Sequence, residues 1–132
     1  FDEPGYARLH NNLGWLYQYY MENDQQAALH LKYAIKFDPK LEAAYYNLAD
    51  LYKKHDKYKE LVVFMQKALN KTGACERVIY EILGEVHEAQ CEFSMALKYY
   101  KRALYKTTDS YDAGEIRRGI KRCKYKRLKR IF

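Results

Sequence analysis

The sequence predicts an all-α chain of three stacked helix–turn–helix hairpins followed by a C-terminal capping helix. Three observations predict it. A small-residue signature recurs as Leu13-Gly14 with Tyr17, Leu48-Ala49 with Tyr52, and Leu83-Gly84 with His87, each copy 35 residues after the last. A second group, Ala27, Leu31 and Ala34, is echoed by Leu61, Met65 and Ala68 and then by Ala96, Tyr100 and Ala103, at steps of 34 and 35 residues. Both groups keep the spacing of a single helical face. A period of this size over a helical pattern means stacked hairpins, and such stacks mostly bind other proteins.

Helices are expected near 5–19, 24–36, 41–54, 58–70, 75–89, 93–106 and 111–128. In the first copy, Gly14 marks a crossing point, where the lack of a side chain lets two helices approach. That approach outweighs the roughly 1 kcal/mol propensity cost of a mid-helix glycine. Asp24 is the expected N-cap of the second helix, and Phe37-Asp38-Pro39 closes the copy, because the residue before proline is biased out of helix. In the second copy, Tyr45, Leu48, Ala49 and Tyr52 form the first face and Leu61, Met65 and Ala68 the second. Helices of about twelve residues are marginal alone, so the halves must pack together. Ala49 and Gly84 repeat the crossing point, with Ala27 and Ala96 as matching small positions. Asp109 or Ser110 can cap the last helix, and Asp112 and Glu115 suit its positive N-terminus. Ile116, Gly119, Ile120 and Cys123 form its packing face. The alternative 35-residue step would bury Arg118 and Arg122 and is physically poor.

These residues resemble the tetratricopeptide repeat, with its pattern W-x2-L-G-x2-Y, then A-x3-F, then P. Leu13, Gly14, Tyr17, Ala27, Leu31, Ala34 and Pro39 match in copy one, which carries one extra residue between its halves. Copy three keeps Leu83, Gly84, Ala96, Tyr100 and Ala103. Copy two departs most, with Ala49 for glycine, Leu61 for the small alanine and Gly73 where proline is expected, and Leu61 questions how closely that hairpin packs. The resemblance spans about residues 5–108. It implies a right-handed solenoid of repeats at about 5–39, 41–73 and 75–108, with a basic cap at about 110–130, in one domain over 1–132.

Charge is uneven. Residues 117–130 hold nine of the 24 Lys and Arg, so the net charge of +7 belongs to the tail and not to the repeats. Three cysteines, Cys75, Cys91 and Cys123, form no tight motif, which favours free thiols and a reducing, cytoplasmic setting. No apolar run approaches the length of a membrane span. No signal peptide is visible, but the chain opens on Phe1 and not methionine, so this is no argument about targeting. Fifteen tyrosines are expected mainly to fill gaps between helices, among them Tyr33, Tyr45, Tyr52, Tyr80 and Tyr100.

Catalytic chemistry is not expected. There is no Gly-rich phosphate loop, nucleophile elbow or zinc-ligand cluster, and no cofactor is implied. His87 and Cys91 stand four apart, a possible metal spacing, yet His87 occupies a packed aromatic position and Cys91 a turn. The resemblance implies instead a protein-binding scaffold. In the family, the first helices of successive repeats line a concave groove that holds a peptide or partner helix. Carried over, that face comprises Arg8, Asn11, Asn12, Trp15, Gln18 and Tyr19, then Tyr46, Asn47, Asp50, Lys53 and Lys54, then Glu81, Ile82, Glu85 and Glu88. Trp15 stands out as an anchor, since large aromatics dominate interface energetics. The competing reading packs it against the N-terminal segment. One subgroup holds acidic chaperone tails in a dicarboxylate clamp. Its five places here hold Asn11, Trp15, Asn47, Val78 and Ile82, and only Asn47 matches, so such tails are not the expected partner.

The tail has three readings. Its cations pair with the acidic third copy and water. Alternatively Arg117, Arg118, Lys121 and Lys124 join the groove beside Glu81, Glu85 and Glu88 and take an acidic peptide. Or the segment from Lys124 to Arg130 binds nucleic acid or an anionic membrane, with Tyr125 and Phe132 stacking on bases or dipping into lipid. Residues past about Leu128 are expected to fray.

Overall fold

The computed structural model describes residues 4–130. These form seven helices and no strand: α1 (Pro4–Tyr19), α2 (Asp24–Phe37), α3 (Glu42–Lys54), α4 (Tyr58–Leu69), α5 (Glu76–Ala89), α6 (Phe93–Tyr105) and α7 (Ser110–Lys129). Every boundary lies within one residue of the expected one. The fold is all-helical and built of helical repeats. None of the helices is long and apolar enough to cross a membrane. Phe132 lies outside the described residues. Close packing divides the chain into two compact units, Phe1–Cys75 with α1 to α4 and Glu76–Phe132 with α5 to α7.

In the first unit α1 and α2 pack along their full length. The glycine at the crossing explains this. A methyl group on Gly14 would sit 2.6 Å from Leu31 Cγ and 3.2 Å from the Ala27 carbonyl oxygen. Ala27, Leu31 and Ala34 are completely buried beneath it. Asn23, and not Asp24, caps α2: its non-helical backbone lets its Oδ1 accept from Gln26 N at 3.2 Å. Asp24 enters the first turn and meets His55 at the end of α3. The proline stop acts as expected, with α2 ending at Phe37. Tyr45, fully buried, donates its hydroxyl to the Pro39 carbonyl at 2.7 Å, and burial pushes that phenol up to about 12.

The second hairpin is the loose one. Leu61 fills the place of a small residue and is completely buried with Met65, and α3 and α4 approach along fewer turns than the pairs α1–α2 and α5–α6. The backbones of helices α2 and α4 stay apart, although Lys32 of α2 reaches over the Phe64 ring of α4 at 5.6 Å.

All three hairpins turn through a left-handed residue that is not glycine: Glu22 at φ 50°, Asp56 at φ 54° and Cys91 at φ 60°. In each, the next amide donates back to the signature aromatic's carbonyl, Asn23 to Tyr17, Lys57 to Tyr52 and Glu92 to His87, at 2.8–2.9 Å. Main-chain bonding thus holds a conformation that costs these side chains about 1–2 kcal/mol.

In the second unit, Phe93, Ala96, Leu97, Tyr100 and Ala103 of α6 form one core with Ile116 and Cys123 of α7. Ile116, Gly119 and Cys123 are buried and Ile120 is half-buried, the expected face of α7. Asp109 caps that helix, accepting from the amides of Tyr111 and Asp112 at 2.8 and 3.1 Å. The tyrosines divide. Tyr45, Tyr52 and Tyr100 fill the interior, whereas Tyr80 is half-buried and Tyr33 is exposed.

Candidate interaction surfaces

On the first unit, the expected face of α1 and α3 comes together at two asparagines. Asn47 Nδ2 donates to Asn11 Oδ1 at 2.9 Å, joining nearly equivalent places in successive repeats. One turn beyond Asn11, Trp15 is 41 % exposed. Its ring lies 5.3 Å from that of Tyr19 and 5.4 Å from that of Tyr20, so three aromatics form a solvent-facing cluster at the end of α1. Arg8, Asn12, Asp50 and Lys54 are exposed, and Tyr46 and Lys53 are half-buried. Gln18 departs from expectation: at 3 % exposure it belongs to the interior, and its Oε1 has no partner among the described residues.

On the second unit, the acidic stripe of α5 is engaged within the chain. Glu81 accepts from Arg77 at 2.9 Å, and Arg77 also reaches Asp112 of α7 at 3.5 Å. Glu88, expected in the groove, is instead buried. It accepts from the Tyr100 hydroxyl at 2.8 Å, from Arg122 Nε and Nη2 at 3.0 Å each, and from Lys126 Nζ at 3.1 Å. Ile82 is fully buried and offers no surface. Glu85 lines a small cavity of about 110 Å³ with Glu81, Tyr100, Glu115, Ile116 and Arg122.

The cations that reach α5 are therefore not the expected ones. Arg118 pairs with Glu115 of its own helix at 2.6 Å, while Arg122 and Lys126, one and two turns further on, take Glu88. The apolar stripe of α7 fixes its inward face, but long side chains at the edge of that stripe choose their own partners. Nor is the end of α7 free, since Arg130 donates to the Cys91 carbonyl at 2.6 Å and lies over the Phe93 ring at 5.5 Å. Among the described residues, Arg117, Lys121, Lys124 and Arg127 have no hydrogen-bond or ion-pair partner and are exposed.

Burial alone would raise the Glu88 carboxyl. The bonds from Arg122, Tyr100 and Lys126 outweigh it and hold the group down at about 2. In the same cluster, burial first and then Glu88 raise the Tyr100 phenol, and burial pushes the Cys123 thiol up to about 11. A depressed carboxyl stabilises the fold above its unfolded value, and that contribution is lost as pH falls from about 4.5 towards 2. Melting of the protein between pH 6 and pH 2.5 should therefore show a loss of stability that Glu88→Gln removes. The variant should start about 1–3 kcal/mol less stable at neutral pH, because the buried Tyr100 hydroxyl loses its charged acceptor. A variant with the same acid profile as the parent chain would show that Glu88 is not the group responsible.

His87 Nδ1 lies 3.2 Å from Glu92 and its ring stacks on Tyr99 at 5.4 Å, while Cys91 is exposed in the turn. Among the described residues no group of three or more His, Cys, Asp or Glu could hold a metal ion.

The chain is similar to the solved N-terminal domain of stress-induced protein-1 (STI-1) from C. elegans. The two superpose with a TM-score of 0.59 at 25% sequence identity, over 86% of this chain and 93% of that one. The likeness supports a helical-repeat fold. No family model and no curated protein matches the sequence. The resemblance to the tetratricopeptide repeat therefore rests on the recurring signature, and the helical fold is consistent with it.

Proposed function

We propose that this chain is a non-catalytic interaction module, a tetratricopeptide-type scaffold that holds a peptide or partner helix on the face made by α1 and α3. The observation that carries the reading is the Asn11–Asn47 bond beside the exposed Trp15, Tyr19 and Tyr20 cluster. Large, rigid aromatics at the centre of a polar surface are the composition of an interface hot spot. Arg8, Asn12 and Asp50 form its polar rim. A chaperone tail of the dicarboxylate-clamp kind is not the partner proposed here, because two of the clamp's cationic places hold Val78 and Ile82, both fully buried. Cys75, Cys91 and Cys123 as free thiols accord with a reducing, cytoplasmic setting.

A second reading is favoured by one specific observation: Arg117, Lys121 and Lys124 stand unpaired at helical spacing along α7. That row would attach the domain to nucleic acid or an anionic membrane. One experiment separates the readings. With a partner captured by pull-down, Trp15→Ala should weaken binding by about 2 kcal/mol, roughly thirtyfold. Raising salt from 50 to 200 mM should change it little, because phosphate contacts, and not aromatic anchors, are steeply salt-dependent. Unchanged affinity in Trp15→Ala together with a steep salt slope would transfer the function to α7.

A further inference from the structure

The first unit carries a second surface, made by α2 and α4. Because the backbones of α2 and α4 stay apart, a cavity of about 500 Å³ opens between them. Its apolar lining includes Leu29, Ile35, Tyr45 and Phe64. Two further cavities share Leu29, Lys32, Tyr52 and Phe64 with it or with each other, so the trough runs on along both helices. Leu29 and Tyr33 stay 42 % and 40 % exposed on its α2 side, and Val63 51 % on its α4 side.

Charge identifies the occupant. Lys32 and Lys36 stand one turn apart on α2, Lys67 lies in the last turn of α4 and Lys71 two residues beyond its end, all four at the same cavity. None has a carboxylate partner among the described residues. Lys32 is held across the floor, 5.5 Å from the Tyr52 ring centre and 5.6 Å from that of Phe64. A ligand must therefore present an apolar face together with acidic groups towards both the α2 side and the α4 side. A single-headed amphiphile satisfies one pair of lysines. An amphipathic helix with acidic flanks satisfies both rows, and helix-in-groove docking is how such segments are recognised.

We propose that the α2–α4 trough is a docking site for an acidic amphipathic helix of a partner protein, separate from the α1–α3 face. The probe is a fluorescein-labelled 14-residue helix with leucines at i, i+3, i+4 and i+7 and glutamates on both flanks, followed by anisotropy at low salt. Saturable binding is expected. The double variant Lys36→Glu/Lys67→Glu should weaken it at least about tenfold, while Trp15→Ala should leave it unchanged. Both changes lie on exposed side chains, so a melting curve matching the parent chain verifies the fold. The proposal is overturned if the double variant binds equally well. It is also overturned if a peptide with serines for the leucines binds as tightly, which would mean charge attraction alone. Laurate binding that needs the same lysines, with no peptide binding, would make the occupant a lipid. Self-association abolished by the double variant, again without peptide binding, would make it a second copy. Loss of binding in Trp15→Ala would place the peptide on the α1–α3 face instead.

Discussion

Gly84→Leu is expected to lower the melting temperature sharply, with Gly14→Leu behaving alike in the first unit. At Gly84 a methyl group alone would lie 2.8 Å from Tyr100 Cδ1, below any ordinary contact distance. The ring cannot simply retreat. It also abuts Gly119, where an added Cβ would meet Tyr100 Cζ at 3.0 Å, and its hydroxyl is tied to Glu88. Overpacking of this kind costs roughly 1–3 kcal/mol, occasionally more, against about 1 kcal/mol returned by removing a helical glycine. For a chain of this size each kcal/mol moves the midpoint by about 3–6 °C. Gly14→Leu would drive a side chain into Leu31 and the Ala27 carbonyl, the second of which is main chain and can yield only by moving a helix. Differential scanning calorimetry that found both variants unchanged would refute the close-approach role of these glycines.

Ile116→Asp should have the larger effect. Ile116 is 1 % exposed in a cluster with Phe93, Leu97, Tyr100 and Cys123, and no cation of the Glu88 group is spare to pair with a new carboxylate. An unpaired charge at a buried apolar site belongs to the class of substitutions that cost more than about 4 kcal/mol. Detachment of α7 has a direct readout, because Cys123 is completely buried and should react with a thiol reagent only once the helix lifts. Arg117→Ala, on an exposed and unpaired side chain, should stay within about 0.5 kcal/mol of the parent. An Ile116→Asp chain with an unreactive Cys123 and an unaltered midpoint would show that α7 is held by something other than its apolar stripe. Ile120, half-buried, should give the same effect in weaker form.

The helices, the crossing glycines and the inward face of α7 were legible because each is written as spacing between apolar or missing side chains. Leu61 at a small-residue position even marked the hairpin that opens. What stayed hidden was decided by reach and by main-chain geometry. A periodic pattern shows which side of α7 faces inward, but not how far Arg122 and Lys126 stretch, nor that Tyr100 would draw Glu88 into the interior. The left-handed turns at Glu22, Asp56 and Cys91 carry no glycine to announce them, and only the recurring amide-to-carbonyl bond does. Asn23 and Asp24 are both good caps, and the choice between them depends on where the longer first turn leaves the chain.

The pairing at Glu88 also shapes how this molecule meets others before any contact forms. Three donors converge on one carboxylate, yet Glu76–Phe132 still holds 14 Lys and Arg against 8 Asp and Glu, while Phe1–Cys75 is close to balanced. The excess is thus concentrated on one part of the chain, and the unneutralised Arg117, Lys121, Lys124 and Arg127 lie on α7 itself. A diffusing anionic molecule feels that lopsided field over about a Debye length, roughly 8 Å at physiological salt. Anions near α7 are drawn towards it, and that attraction weakens as ionic strength rises.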